Sequence, residues 1–368
     1  MQDILPELNN KEYILALDRE YDIHFWLKEE VDQLVRFLDR YWRKDHIFVL
    51  SRSLLDWQHY NKRCDRYNFV IAKHRKSGEI HSILGFVPTS QFDENIKRIE
   101  VWPCIWKARK DVRVKGLGVA LYYFLKENLS VETISILGIS EEALSIYKHW
   151  NFTTGKMQHW FMLNSEKDVF QIIQGSVECR EKSIRKEIAR DCRFEKCSLK
   201  EYMEIPEESL IFSNISRYKS KIYYVNRFYF HPIYTYKIWK IINQNKLKGI
   251  MVTRECCHQN ARCLRIVDYI GSFAEIQMEA MQKILIDNNY EYIDFLVNGI
   301  DENVLKKAGF LNREKVPGIV VPNYFEPFCA QNIELDWAFK TVEEDLESIF
   351  YKADADQDRP NVLENYLL

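Results

Sequence analysis

The chain spells out one order of elements twice, and that repetition constrains its fold more than any other feature. In the first half, Tyr67–Lys73 reads as a strand, Ser77-Gly78 as a turn and Ile80–Val87 as a second strand, together an antiparallel hairpin. Ile99–Lys107 reads as a third strand, in which Pro103 requires an edge or a bulge. A glycine loop at 113–118 follows, then a helix near Val119–Leu129, a buried strand at Thr133–Gly138 and a helix at Glu141–Trp150. In the second half Gly249–Arg254 and Cys263–Tyr269 read as paired strands around a polar turn, and Phe273–Asn288 as a helix. Tyr292–Val297 is then a strand and Glu302–Lys307 a helix, followed by Gly309-Phe310. Sliding the sequence by 158 residues carries Phe152 onto Phe310, Asn151 onto Gly309 and Ser140 onto Asn298. Ahead of each series lies a helical pattern. Val31, Leu34, Val35, Leu38 and Trp42 mark one within Trp26–Trp42, and Tyr236–Gln244 looks like another. The expected fold class is α/β (α+β): two tandem copies of one unit, each a mixed central sheet flanked by helices.

The length of 368 residues fits two domains at roughly 150 residues each. The expected boundaries are a first domain at 1–165, a charged, weakly periodic connector at 166–200, a second domain at 201–340 and an acidic C-terminal tail at 341–368. The 52 basic and 54 acidic residues nearly cancel, so there is no net basic footprint for nucleic acid. Uncharged runs such as Ser82–Phe92 and Thr133–Ser140 fall far short of the ~20 residues that span a bilayer. The opening Met1-Gln-Asp-Ile-Leu-Pro-Glu lacks the basic start and apolar stretch of a signal peptide. Nine scattered cysteines fit reduced thiols. Together these lead us to expect a cytoplasmic protein without nucleic-acid or membrane partners.

Glycine is scarce, at 12 residues, yet two glycines stand close together in Arg113-Val114-Lys115-Gly116-Leu117-Gly118. Lacking a Cβ, glycine lets an anion approach main-chain N–H groups, and a helix start adds unpaired N–H groups and a positive dipole end. Such a loop can cradle a diphosphate, with Arg113 and Lys115 adding charge; the plainer reading is a tight strand–helix turn that binds nothing. No Gly-Lys-Ser/Thr follows, so it is not a P-loop, and a third glycine is missing for the dinucleotide fingerprint.

In its context the Arg-x-x-Gly-x-Gly loop resembles the acyl-CoA-binding motif of the GNAT (Gcn5-related N-acetyltransferase) superfamily. Ser140-Glu-Glu-Ala-Leu-Ser-Ile-Tyr147-Lys-His-Trp-Asn151-Phe152 is similar to that family's second motif, Asn-x-x-Ala-x-x-x-Tyr-x-x-x-Gly-Phe. Both motifs fall within residues 65–163, in the family's order and spacing. Ser140 replaces the usual Asn, and Asn151 replaces Gly, a mild change because Asn tolerates left-handed backbone. Trp102-Pro-Cys-Ile-Trp106-Lys, the segment Gly155 to Asn164 and the tail Asp354 to Asn361 also resemble a bacterial group of tandem GNAT-like proteins associated with surface-polysaccharide biosynthesis.

The resemblance implies an acyl-CoA cosubstrate, acetyl-CoA above all, no metal, and the amine of a small molecule as acceptor, such as a nucleotide-linked amino sugar. It places the cofactor on Arg113, Val114, Lys115, Gly116, Leu117, Gly118, Val119 and Ser140. It makes Tyr147 the general acid that protonates the departing thiolate; the bland alternative is that Tyr147 packs in the core. A backbone N–H on Cys104–Lys107 would hold the oxyanion. Glu100, His81, His149 and His159 are candidates for the base, Glu100 and His159 foremost, because His suits proton transfer near neutrality and burial can raise a Glu pKa. Trp106 and Arg227 are the candidate acceptor contacts, Arg227 within an aromatic stretch that includes Tyr223, Tyr224, Phe228, Tyr229, Phe230 and Tyr234. The second copy is expected to bind no CoA. Its loop reads Gly271-Ser-Phe-Ala274-Glu275-Ile276, with Ala and Ile for the two glycines, and Leu305 stands at the place of Tyr147.

Two metal-like patterns fail. Cys256-Cys257-His258 with Cys263 lacks the second ligand pair of a zinc site. Asp354-x-Asp356-x-Asp358 has Arg359 where an EF-hand needs Gly. Besides an acyl-CoA N-acyltransferase, two readings stay open: a FemABX-like aminoacyl transferase and a non-catalytic acyl-CoA-binding or scaffold protein.

Overall fold

The computed structural model describes residues 17–112, 114–175, 192–210, 219–343 and 346–363. The chain divides into two units, one of residues 1–155, 336–346 and 360–368, the other of residues 156–335 and 347–359. Among the described residues no helix is long and apolar enough to cross a membrane.

In chain order the first unit contains strand β1 (Tyr21–Leu27), helices α1 (Val31–Phe37) and α2 (Arg52–His59), and strands β2 (Arg66–His74), β3 (Ile80–Pro88) and β4 (Glu100–Ala108). Helix α3 (Leu117–Asn128), strand β5 (Thr133–Leu137), helix α4 (Glu141–His149) and strand β6 (Thr153–Lys156) follow. Strands β1 to β4 form an antiparallel sheet, and β5 joins it parallel to β4. The helical pattern at Trp26–Trp42 yields a helix only from Val31, because Tyr21–Leu27 pairs with β2 as an edge strand. Pro103 lies beside a bulge: Gly85 opposes Ile105 and Phe86 opposes Pro103, leaving Cys104 as the extra residue. Helices α3 and α4 bury Leu121, Leu125 and Tyr147 against Val70, Leu84 and Val101.

The second unit contains β7 (Gln158–Leu163), β8 (Cys192–Lys196), helix α5 (Leu199–Glu204), β9 (Tyr236–Asn243), β10 (Lys246–His258) and β11 (Ala261–Gly271). Helix α6 (Met278–Asp287), β12 (Tyr292–Asn298), helix α7 (Glu302–Lys307) and β13 (Leu311–Asn312) complete the repeat. The sheet order is β13-β7-β12-β11-β10-β9-β8. Tyr236–Asn243 is a strand and not the expected helix. A register shift between Ile241 and Ile242 buries both, which mimics helical spacing in the sequence.

Strand β14 (Asp336–Thr341) returns to the first unit, where it lies between β5 and β6. In the second sheet β7 fills the equivalent slot between β12 and β13. Each copy therefore completes its sheet with a strand from the other half of the sequence. The cause is local: only Met157 separates β6 from β7, and a tight hairpin needs a loop of about two residues. This corrects the expected boundaries. Residues 158–163 belong to the second sheet and not to a domain at 1–165, and 336–341 belong to the first. The expected connector is partly second-unit structure: Ile172 is buried, its amide donates to Glu291, and Cys192–Lys196 is a strand. The acidic tail is not a solvated run either. Asp354, Asp356 and Asp358 are all buried in the second unit.

Candidate functional site

In the first unit β4 and β5 pair only at Glu100–Thr133 and Val101–Ile134, then diverge. The bulge at Cys104 bends β4 where the strands part. Past the end of β4 the chain enters the glycine loop. Gly116 has a left-handed φ of 69° and caps α3, bringing no side chain to the first-turn amides that a helix leaves unpaired. Lys115 is exposed beside it, while Leu117 is buried and anchors the helix start. Arg113 lies outside the described residues. Val114 and Val119 pack partly buried against the core.

Gly118 has a different reason to be glycine. The Trp106 indole donates its Nε1–H to the Gly118 carbonyl at 3.1 Å, and a Cβ on residue 118 would lie 2.8 Å from that nitrogen. Trp106 thus sits on the cofactor-loop candidate itself. Its ring meets Tyr122 edge-on at 4.8 Å and lies 6.3 Å from Tyr147. The Tyr122 and Tyr147 hydroxyls are hydrogen-bonded to each other, and both phenols are buried. Burial raises the pKa of Tyr147, partly offset by the bond from Tyr122, so its proton stays on the oxygen at neutral pH. Tyr122 was not picked out in the sequence. The spacing of Tyr122 from Gly118, one helical turn, is the signal that could have marked it.

Glu100 is buried and accepts from Ser135 Oγ at 2.7 Å. Its neighbour Val101 packs in the core with Tyr147, so Glu100 faces the opposite side of the sheet. Ser140 caps α4, its Oγ accepting from the Ala143 amide at 3.4 Å. His81 accepts or donates to Tyr21 at 2.9 Å and stacks on His74, with burial lowering its pKa; His149 is exposed on the last turn of α4. His159 corrects an expectation: it lies in the second unit, where Nε2 is 3.0 Å from Asp294 and burial lowers its pKa, and it does not join Tyr147 and Glu100. Arg227 is 1% exposed within the second unit, and its Nη2 donates to the Ala353 carbonyl at 3.0 Å.

No protein-family model matches the chain, and no curated protein matches it in sequence. Solved structures do match. A GCN5-related N-acetyltransferase from Anabaena variabilis aligns with a TM-score of 0.52 over 88% of this chain and 73% of that one, at 13% identity. The chain has the GNAT fold. A conserved protein of unknown function from Enterococcus faecalis, described as a probable N-acyltransferase, aligns with a TM-score of 0.50 over 86% and 71% of the two chains, at 8% identity.

Within this GNAT fold the second copy also splays. Strands β11 and β12 pair in parallel at Leu264–Ile293, Arg265–Asp294 and Ile266–Phe295 and then separate. The chain itself fills that gap. Strand β15 (Phe350–Tyr351) pairs with β12 at Asn298 and Val297, and the Ala353 amide donates to the Val267 carbonyl of β11 at 2.9 Å. Ion pairs fasten the insert: Lys219 lies 2.7 Å from Asp354, and Arg254 grips Asp358 at 2.9 Å while Tyr236 donates to it at 2.8 Å. At the degenerate loop Phe273–Glu275 makes a 3-10 turn that uses the Glu275 and Ile276 amides internally, and Leu305 is buried in the core. The rejected zinc pattern is a hairpin end, with Cys256 opposite Cys263 and His258 stacked on Phe328. Among the described residues no three metal-ligating side chains cluster.

Proposed function

We propose that the first unit is an acyl-CoA-dependent N-acyltransferase acting on the amine of a small molecule. One observation carries the reading: a left-handed Gly116 opens α3 at the mouth of the β4–β5 splay, and the buried Tyr147 stands at the same splay. The amides of Val114–Val119 receive the diphosphate of the acyl donor, with Lys115 adding charge. The amine attacks the thioester carbonyl, a β4 amide near Cys104 holds the oxyanion, and the C–S bond then breaks. Tyr147 gives its Oη proton to the departing thiolate. Tyr122, hydrogen-bonded to the Tyr147 hydroxyl, acts as a positioning residue: when Tyr122 is the donor, the Tyr147 proton is left for the thiolate. The proton released by the amine passes to water, because Glu100 is bonded to Ser135 on the opposite side of the sheet.

The second unit carries no acyl donor, since its own residues 350–353 hold the corresponding gap. The resemblance to polysaccharide-associated proteins supports an amino sugar on a nucleotide carrier as acceptor. Thiol release from acetyl-CoA with a panel of amino-sugar nucleotides tests the assignment. Turnover that depends on the amine and on Tyr147 is the expected result. Binding of acetyl-CoA without turnover of any amine would leave the scaffold reading instead.

A further inference from the structure

Helix α1 runs on into a widened turn, Leu38–Trp42, closed by the Arg43 amide on the Leu38 carbonyl at 2.9 Å. Widened turns of this kind are rare and concentrate at functional sites. This one forms a wall of a cleft of about 740 Å³ in the first unit, whose other wall is the Gly78–Ile80 turn and Arg109 at the end of β4.

The charge on that cleft is unusual. Arg36, Arg40 and Lys44 line it, are exposed, and have no carboxylate within ion-pair distance among the described residues. Arg36 and Arg40 are four residues apart, a spacing at which like charges repel on a helix face. The carboxylates that share the cleft are engaged elsewhere. Glu79 lies 3.2 Å from Arg109 and 3.6 Å from His81, and Asp39 accepts the Asp45 amide at 2.9 Å. Arg109 is fixed over the Tyr41 ring at 4.7 Å and paired with Asp111 at 2.7 Å. The result is a cleft in which four cations, Arg36, Arg40, Lys44 and Arg109, face two carboxylates, Asp39 and Glu79. Arg36 and Arg40 stand about one turn apart, and two linked phosphates offer each guanidinium its own pair of oxygens.

We infer that this cleft binds a small molecule through a diphosphate group, at a place separate from the glycine loop. The inference does not rest on the transferase reading, because binding can be measured with no acyl donor present. Calorimetric titration of the full chain with inorganic pyrophosphate, UDP and orthophosphate tests it. Both diphosphates should bind more tightly than orthophosphate, and more weakly as salt rises. Arg36→Glu/Arg40→Glu should weaken both by about tenfold or more while the melting temperature holds. UDP tighter than pyrophosphate would identify a nucleotide as the source of the group; equal affinities would identify the diphosphate alone. The inference is overturned if neither diphosphate binds, if only UDP binds, or if the double variant binds both as the wild type does. It is equally overturned if Gly118→Val abolishes diphosphate binding and the double variant keeps it, for then the probe sits at the glycine loop.

Discussion

The amide of Phe152 donates to the carbonyl of Tyr147 at 3.0 Å, closing the turn that ends α4. One repeat later Phe310 donates to Leu305, also at 3.0 Å. Asn151 and Gly309, the residues between, both take left-handed backbone, with φ of 57° and 88°. The duplicated scaffold is thus kept bond for bond, while the phenol at its centre is present in one copy and replaced by a leucine in the other. A group that the fold can do without is a candidate for chemistry.

Tyr147→Phe is therefore expected to keep the fold and acetyl-CoA affinity while lowering turnover by about 10²–10⁴-fold. Tyr122→Phe should cost less, since it removes only the partner that orients the Tyr147 hydroxyl. Steady-state kinetics with a direct CoA-binding measurement separates the two effects. A wild-type rate in Tyr147→Phe returns that residue to the core.

Gly118→Val should collide with the Trp106 indole. Overpacking of this kind typically costs about 1–3 kcal/mol, so the variant should fold with a lower melting temperature. Acetyl-CoA should no longer protect it against thermal unfolding. Undiminished protection would remove the loop from the cofactor assignment.

Titration with CoA should give one site per chain. Arg254→Ala, which leaves Asp358 buried without its guanidinium, should destabilise the second unit by about 3–5 kcal/mol. It should leave CoA binding to the first unit in place. Two equivalent CoA sites would contradict the self-filled gap.

Acid should unsettle the second unit early. The Nδ1 of His231 accepts the Ile233 and Tyr234 amides, and burial, with Arg227 nearby, pushes its pKa down to about 2. The unfolded chain binds this proton near pH 6.5 and the folded chain does not. Stability is therefore full above 6.5 and falls by about 1.4 kcal/mol per pH unit below it. Burial opposes ionisation of Asp358, yet Arg254 holds its pKa at about 2, so a second contribution fades from about pH 4 down through 2. Denaturant midpoints between pH 7 and 4 should show the first slope in the wild type and lose part of it in His231→Gln.

Much of this was legible in the sequence, and the misses have physical causes. Hairpins, the glycine loop, α3, β5 and α4 were readable because turn glycines and period-two or period-3.6 patterns fix them locally. The 158-residue offset gave the second copy, down to the left-handed residue before each Phe. Tyr236–Asn243 misread because a bulge placed two adjacent isoleucines in the core. The strand exchange was invisible, since β7 and β14 read as ordinary strands and nothing local says which sheet receives them. His159 and Arg227 were chosen for their chemistry, but a partner distant in sequence, Asp294 for one and the Ala353 carbonyl for the other, had already engaged each. Tyr122 was hidden among 21 tyrosines, marked only by its place one helical turn after Gly118.

A fragment of residues 1–170 should not stand alone as a soluble domain. It lacks β14, leaving β5 and β6 without the strand between them, and it carries β7 with no sheet to enter. Size-exclusion chromatography should find it aggregated, and adding a peptide of residues 330–346 should partly rescue it. A monomeric, cooperatively melting fragment would show that β14 is dispensable.

The exchange of strands also governs how the protein is made. Chains ordinarily fold domain by domain as they leave the ribosome, the amino-terminal part first. Here that schedule is closed off. The first sheet waits for residues 336–341 and the second for 350–351, so a nascent chain carries two unfinished sheets until those strands have emerged. Both units then mature together. A stop or release before residue 336 costs the cell both halves at once, and an account of this protein's yield has to begin at the codons for 336–351.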